Sequence, residues 1–375
     1  MHAPARRAGL IVAGALAALL TAALLVMTGS AAAGSSKSSA DGPLVFGHRG
    51  AAGYRPEHTL ASYELGARMG ADFIEPDLVT TKDGVLVARH EPEISGTTDV
   101  ADHPEFAGRK TTKTVDGTKL TGWFTEDFTL AELKTLRAKE RLPDLRQHNT
   151  MYDGRYQIPT LQEVIDLAKK LSKELHRTIA IAPETKHPTY FKSIGLPLEP
   201  ALVKTLKANG WAGKKAPVVI QSFETQNLKE LNEQVDVPLV ALLDEKDLVP
   251  ADVAAAGGKT TFGDYATPEG LKGLAKFADW VSPWKPYIVP TDAAGEWLAP
   301  TSFIDDAHAA GLKVVAYTFR NENQYLPPSL RSSTVPSDYG DAFAEYLKFY
   351  GLGIDGVFSD NPDTAVAARK EFLGS

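Results

Sequence analysis

Apolar positions along the chain fall in short continuous runs, separated by polar-rich segments with helical spacing. The runs cover residues 44–47, 73–79, 178–183, 218–221, 239–243, 279–283, 313–318 and 356–359. They are apolar at consecutive rather than alternate positions, as expected for strands buried on both faces. Between them, residues 59–69, 161–175, 200–208, 225–234, 268–277, 301–310 and 341–350 carry the pattern of crossover helices. Strand and helix in alternation predict a parallel sheet. Eight such runs predict an α/β fold closed as a TIM-like (β/α)8 barrel.

One connection breaks the alternation. After 73–79 come Thr80-Thr81-Lys82-Asp83-Gly84 and then a second apolar run to His90. No crossover helix fits in so short a gap, so these two strands are antiparallel. Asp83-Gly84 is the signature of a two-residue type I′ turn. That turn places His90 across from Asp77; a one-residue bulge would move it to Glu75 or Pro76. Residues 92–158 lose the barrel rhythm and read as an insertion after the hairpin, a small cap over the barrel mouth. It contains a helix-like stretch at 130–139, opened by the capping box Thr129 and Glu132. Residues 321–340 form a long Pro/Ser-rich loop, a length that usually signals function or mobility.

The N-terminus reads as an address. Arg6 and Arg7 precede an uncharged apolar run at 8–27, followed by small residues around Ala31 and Ala33. These are the parts of a secretory signal, 1–33, which implies a secreted, extracellular or periplasmic protein. An uncleaved membrane anchor is the competing reading, since the run approaches a bilayer span. Residues 34–42 form a flexible Gly/Ser linker, and 43–370 the barrel domain. The chain has no cysteine, which excludes disulfide frameworks, thiolate metal sites and cysteine nucleophiles. Lys+Arg 40 against Asp+Glu 47, with pI ≈ 5.8, argues against nucleic acid as a partner.

In such barrels the chemistry sits at the C-terminal ends of the strands. Those ends supply His48-Arg49, Glu75-Pro76-Asp77, Arg89-His90 and Glu184-Thr185-Lys186. Glu75 and Asp77 are two apart in a strand and share a face. Two neighbouring buried carboxylates need positive charge. With Glu184 as a third, they suit a hard divalent cation, Ca²⁺ or Mg²⁺. An ion pair with Arg49 or Lys186 is the alternative. His48 and His90 beside this cluster suit an acid–base pair, with metal ligation ranked second. Arg49 offers a planar fork and Lys186 a point charge to phosphate oxygens.

The motifs His48-Arg49-Gly50, Pro56-Glu57-His58-Thr59-Leu60, Glu75-x-Asp77, Thr81-Lys82-Asp83-Gly84, His90-x-Pro92, Pro183-Glu184-x-Lys186 and Asp360-x-Pro362-Asp363 together resemble the glycerophosphodiester phosphodiesterases. The insertion and the Pro-Glu-His-Thr-Leu variant resemble the secreted or periplasmic branch. The resemblance spans about Leu44 to Ala367 and implies hydrolysis of a small glycerophosphodiester to glycerol 3-phosphate and an alcohol. By resemblance, Glu75, Asp77 and Glu184 are metal ligands, with Ca²⁺ favoured in an extracellular setting. His48 and His90 are the catalytic acid and base, with roles unassigned. Arg49 and Lys186 bind phosphate, and Glu57 is a supporting partner or a glycerol contact. The nucleophile is water or, through a cyclic phosphate, the glycerol 2-hydroxyl. Glu91 and Tyr317-Thr318 depart from the commoner family pattern and bear on the shape of the pocket. Two other readings compete. One is a secreted phosphodiesterase acting on poly(glycerol phosphate) or phospholipid, the latter with Trp123, Phe124 and Trp297 as candidate rim residues. The other is a barrel that binds a phosphorylated ligand without turnover.

Overall fold

The computed structural model describes residues 42–375. The expected signal at 1–33 and nearly all of the linker lie outside the described residues.

The barrel strands are β1 (Leu44–Gly47), β2 (Phe73–Ile74) continued by β3 (Asp77–Thr80), with β4 (Leu86–Ala88) as the hairpin return. After the insertion, which holds β5 (Thr111–Val115) and β6 (Thr118–Gly122), come β7 (Ala180–Ile181) continued by β8 (Glu184–Thr185). Then follow β9 (Ile220–Ser222), β10 (Leu239–Leu243), β11 (Trp280–Pro283), β12 (Lys313–Phe319) and β13 (Gly356–Ser359). Among the described residues all barrel pairings are parallel, and the β3–β4 hairpin is antiparallel, as is the β5–β6 pair of the insertion. β1 pairs with both β2 and β13, β2 with β7, and β3 with β8. The ring therefore closes, giving the TIM-like barrel the alternation predicted.

Two of the expected continuous runs are each split. Pro76 separates β2 from β3, and Pro183 separates β7 from β8. Proline has no N–H to give to a ladder, so the strands break there and resume. The resumed pieces set the register of the site: Asp77 pairs with Glu184, and Glu184 in turn pairs with Gln221.

Below the site the barrel interior is filled by Phe46, Ala182, Val219, Val240, Trp280, Val315 and Phe358, with Phe73 packed against them. Phe46 stacks on Phe73 with ring centroids 4.3 Å apart and meets Phe358 at 4.6 Å. This is a packed core and not a pore. Outside, the helices bury one stripe each. The helix Leu161–Glu174 buries Leu161, Val164, Ile165, Ala168 and Leu171, and Thr160 and Glu163 close a reciprocal capping box at its start.

The hairpin differs from the expected two-residue turn. Leu78 pairs with Ala88 and Thr80 with Leu86, so five residues form the loop and His90 falls opposite Pro76, one position from Asp77. Gly84 has positive φ but Asp83 does not. The Thr81 hydroxyl accepts the Val85 N–H at 3.0 Å and donates to Asp83, which also accepts the Leu130 N–H. A two-residue Asp-Gly turn does occur, in the insertion: Asp116 (φ 45) and Gly117 (φ 82) join β5 to β6. The helix expected at 130–139 covers only Leu130–Leu133, although its capping box is present. Its continuation is drawn away: the N–H of Ala138 bonds Tyr156 O and that of Lys139 bonds Thr97 O. The 321–340 loop is pinned by Asn323, whose amide reaches Ser333 and Val335 and whose carbonyl accepts the Ser332 N–H.

Candidate active site

At the C-terminal ends of the strands lies a cavity of about 460 Å³, lined by His48, Arg49, Glu75, Asp77, His90 and Glu184 among others. A second cavity of about 860 Å³ holds Lys186 and adjoins the first, sharing His90, Glu184, Phe223 and Tyr317. Every expected site residue except Glu57 lines one or both.

Glu75, Asp77 and Glu184 are all buried, and one carboxylate oxygen from each lies within 4.8 Å of the others. The cause is the register: Asp77 and Glu184 are paired neighbours, and Glu75 stands two residues before Asp77 on the same face. Glu75 is held by the Arg49 backbone N–H at 2.9 Å and by the Gln221 amide at 2.7 Å. His58 donates to Asp77 Oδ2 at 2.9 Å, which leaves Asp77 Oδ1 buried without a hydrogen-bond donor. Lys186 Nζ lies 3.0 Å from Glu184 Oε1 as an ion pair. Burial, with Asp77 and Glu184 beside it, pushes Glu75 well above the ordinary carboxylate range. Burial likewise lifts Glu184 to about 7 despite Lys186. At Asp77, burial is outweighed by His58 and Arg49, which hold it well below its ordinary value. Three buried oxygen donors, one of them lacking a partner and two reluctant to ionise, fit a hard divalent cation.

His48 follows β1 and Asp360 follows β13, the strand paired with it. His48 Nδ1 donates to Asp360 Oδ1 at 2.5 Å, leaving Nε2 directed to the cavity side, 3.8 Å from Glu75. Burial pushes the His48 imidazole down to about 4, against the pull of Asp360. His90 Nδ1 meets Glu91 at 3.0 Å, and Lys186 Nζ approaches its Nε2 at 3.3 Å. Burial, Arg49 and Lys186 lower His90 too, although its side chain remains 31% exposed and keeps more contact with water. Both rings are therefore neutral at neutral pH before substrate binds. Arg49 adopts left-handed backbone (φ 56), which turns its N–H onto Glu75. The next residue must be glycine: at Gly50 (φ +98) a Cβ would lie 2.4 Å from Ser62 Oγ.

Glu57 lines neither cavity. It stands behind Arg49, accepting the guanidinium with both oxygens at 3.1 Å, and Arg141 of the insertion at 2.8 Å. It holds Arg49 from behind.

A profile of the glycerophosphoryl diester phosphodiesterase family matches residues 48–364. The chain belongs to this family. It is 36% identical over 331 residues to the Arabidopsis thaliana glycerophosphodiester phosphodiesterase GDPD6, covering 85% of this chain and 83% of that one. It is 28% identical to the Haemophilus influenzae glycerophosphodiester phosphodiesterase over 95% of this chain and 98% of the other. Among solved structures, one of a Silicibacter pomeroyi homologue superposes with TM-score 0.61 at 18% identity, over 90% of this chain and 96% of that one. An Oleispira antarctica phosphodiesterase in complex with sn-glycerol-3-phosphate superposes with TM-score 0.55 at 22% identity, over 87% and 96%. These two likenesses speak for the fold. The family and its named relatives make the enzyme a glycerophosphodiester phosphodiesterase acting on a small-molecule diester. No helix among the described residues is long and apolar enough to cross a membrane.

Sequence reasoning missed several residues. His58 and Asp360 lie inside motifs it quoted, and Asp360 follows a barrel strand directly, so the strand-end rule could have found it. Gln221 stands one residue before the end of β9 and was equally accessible to that rule. Arg146, which reaches Asp360 from the insertion at 2.5 Å, carries no local signal.

Proposed function

We propose that the enzyme hydrolyses glycerophosphodiesters to glycerol 3-phosphate and an alcohol, using a divalent cation, Ca²⁺ by preference, and His48 and His90 as its acid–base pair. The observation that carries this reading is the convergence on one cavity of three buried carboxylates and two imidazoles. Glu75, Asp77 and Glu184 would hold the cation. When bound, it supplies a Lewis acid for the phosphoryl oxygens. Arg49 and Lys186 draw the anionic phosphate in from two sides, and Glu57 keeps the Arg49 guanidinium aimed. His48 suits the proton acceptor: Asp360 fixes its tautomer with Nε2 free and stabilises the imidazolium that forms. His90, its Nδ1 on Glu91, takes up a proton at Nε2 when the phosphodiester anion binds, since a nearby negative charge favours the imidazolium, and gives that proton to the leaving alcohol, while His48 stays neutral as the acceptor.

The test is release of glycerol 3-phosphate from glycerophosphocholine. EDTA should abolish it and Ca²⁺ should restore it. His48→Ala and His90→Ala should each lower kcat by roughly 10²- to 10⁴-fold with the fold intact. Full activity in chelator would overturn the metal role, and near-normal rates in both variants the histidine roles. The related reading, cleavage of phospholipid, loses two of its three candidate rim residues: Trp123 and Phe124 are buried, whereas Trp297 is half-buried and lines the cavity. Rates on glycerophosphocholine, poly(glycerol phosphate) and phosphatidylcholine separate these substrates. A secreted or periplasmic location rests on the 1–33 signal, and an N-terminus of mature protein beginning near residue 34 would support it.

A further inference from the structure

We propose that the insertion is part of the catalytic machinery, with Arg146 a positioning residue that acts on His48 through Asp360, and Arg141 one that acts on Arg49 through Glu57. The proposal rests on the roles given above to His48 and Arg49.

The Arg146 side chain is only 3% exposed, yet it comes from a segment outside the barrel. Its three nitrogens go to three different places. Nη2 donates to Asp360 Oδ2 at 2.5 Å, Nε to Glu322 Oε1 at 2.7 Å, and Nη1 to the carbonyl of Ala52 at 2.9 Å. One guanidinium thus ties together the turn that follows His48 and Arg49, the 321–340 loop, and the end of β13. A planar fork fixes direction as well as charge, which a lysine could not do. Asp360 is consequently held on both sides. Its Oδ1 faces His48, while Oδ2 is occupied by Arg146 and, at 2.8 Å, by Arg320. Neither oxygen is free to swing, so His48 has a single orientation.

The second arm has the same construction. Arg141 donates to Glu57 at 2.8 Å, and Glu57 grips Arg49 with both oxygens. Asn149 braces the segment between the two arms, bonding Ala52 O at 3.2 Å and Glu140 at 2.9 Å. Buried ion pairs of this kind are a poor means of gaining stability, because desolvation offsets the attraction. Their geometry instead fixes the two groups, an imidazole and a guanidinium, whose aim decides turnover and phosphate binding.

The two arms predict opposite kinetic signatures in the full-length enzyme with saturating Ca²⁺ and glycerophosphocholine. Arg146→Met should lower kcat by on the order of 10²-fold with KM little changed, the scale of a slightly misplaced catalytic group. Arg141→Ala should instead raise KM by roughly tenfold, the equivalent of about 1.4 kcal/mol, with kcat little changed. If Arg146 acts through Asp360, the double variant Arg146→Met/Asp360→Asn should be no slower than the slower single variant. Arg146→Lys, which keeps the charge and loses the fork, covers the case in which Arg146→Met does not fold, and its kcat should still fall. Wild-type kcat in either Arg146 variant that folds, an unchanged KM in Arg141→Ala, or additive losses in the double variant overturns the proposal while leaving His48 as the base. An active His48→Ala would instead overturn the acid–base reading itself.

Discussion

Removing the cation should make the stability of this enzyme depend on pH in a predictable direction. Without an ion, burial lifts Glu184 to about 7 and holds Glu75 high as well. In the unfolded chain such a carboxyl titrates near 4.5. The folded state therefore retains protons that the unfolded state releases between those values. The associated stability is complete below about 4.5 and is lost as pH rises through about 7. Asp77, held below 3.8, titrates beneath that window. At about 1.4 kcal/mol for each tenfold change, the loss is roughly 3 kcal/mol from Glu184 alone. For a chain of this length that corresponds to about 5 °C in Tm. A bound cation keeps the carboxylates ionised at all these pH values and removes the penalty. Differential scanning calorimetry in excess EGTA and in excess Ca²⁺, at about pH 5 and about pH 8.5, below and above the value burial imposes on Glu184, reads the effect. The gap in Tm between the two conditions should widen by about 5 °C at the higher pH. A gap that is the same at both pH values, or no gap at all, would refute the assignment of Glu75, Asp77 and Glu184 as a cation site.

Two further outcomes follow from the same reasoning. His187 bridges Asp116 at the tip of the insertion hairpin and Glu91 beside His90; burial opposes its charge, but these two partners raise it to about 9. Its stabilising contribution is full below about 6.5 and fades as pH rises through about 9, so His187→Gln should flatten the alkaline fall in Tm seen in the wild type. Phe46→Ala, at the fully buried centre of the barrel, should cost about 3–5 kcal/mol in urea unfolding, and a loss under about 1 kcal/mol would mean the interior is not packed as described.

The alternation of apolar runs and helical segments was enough to reach a closed barrel, because each strand is buried on both faces and its run is continuous. What the pattern could not show is that Pro76 and Pro183 divide two of those strands. A continuous apolar run looks the same whether or not its ladder is interrupted. The gathering of Glu75, Asp77 and Glu184 beside His48 and His90 was legible because strand-end position and residue chemistry agree. Glu57 was legible only as a member of a motif; its place behind Arg49 depends on a long-range contact with Arg141. The helix at 130–139 shows the limit of local signals. Its capping box is real, but hydrogen bonds from Ala138 and Lys139 to the Tyr156 and Thr97 carbonyls draw the backbone away after the first turn. The Asp-Gly rule found the right hairpin but the wrong turn, since Thr81 builds a longer loop around Asp83, while the unremarked Asp116-Gly117 forms a tight two-residue turn.

The first strand of the ring is bonded to the last. A nascent chain therefore cannot seal the barrel until its final segment has emerged, and His48 and Asp360 stay apart until then. Enzyme activity in this molecule is accordingly a report of completed synthesis: truncation near the C-terminus should silence it even though Glu75, Asp77 and Glu184 are all encoded in the first half.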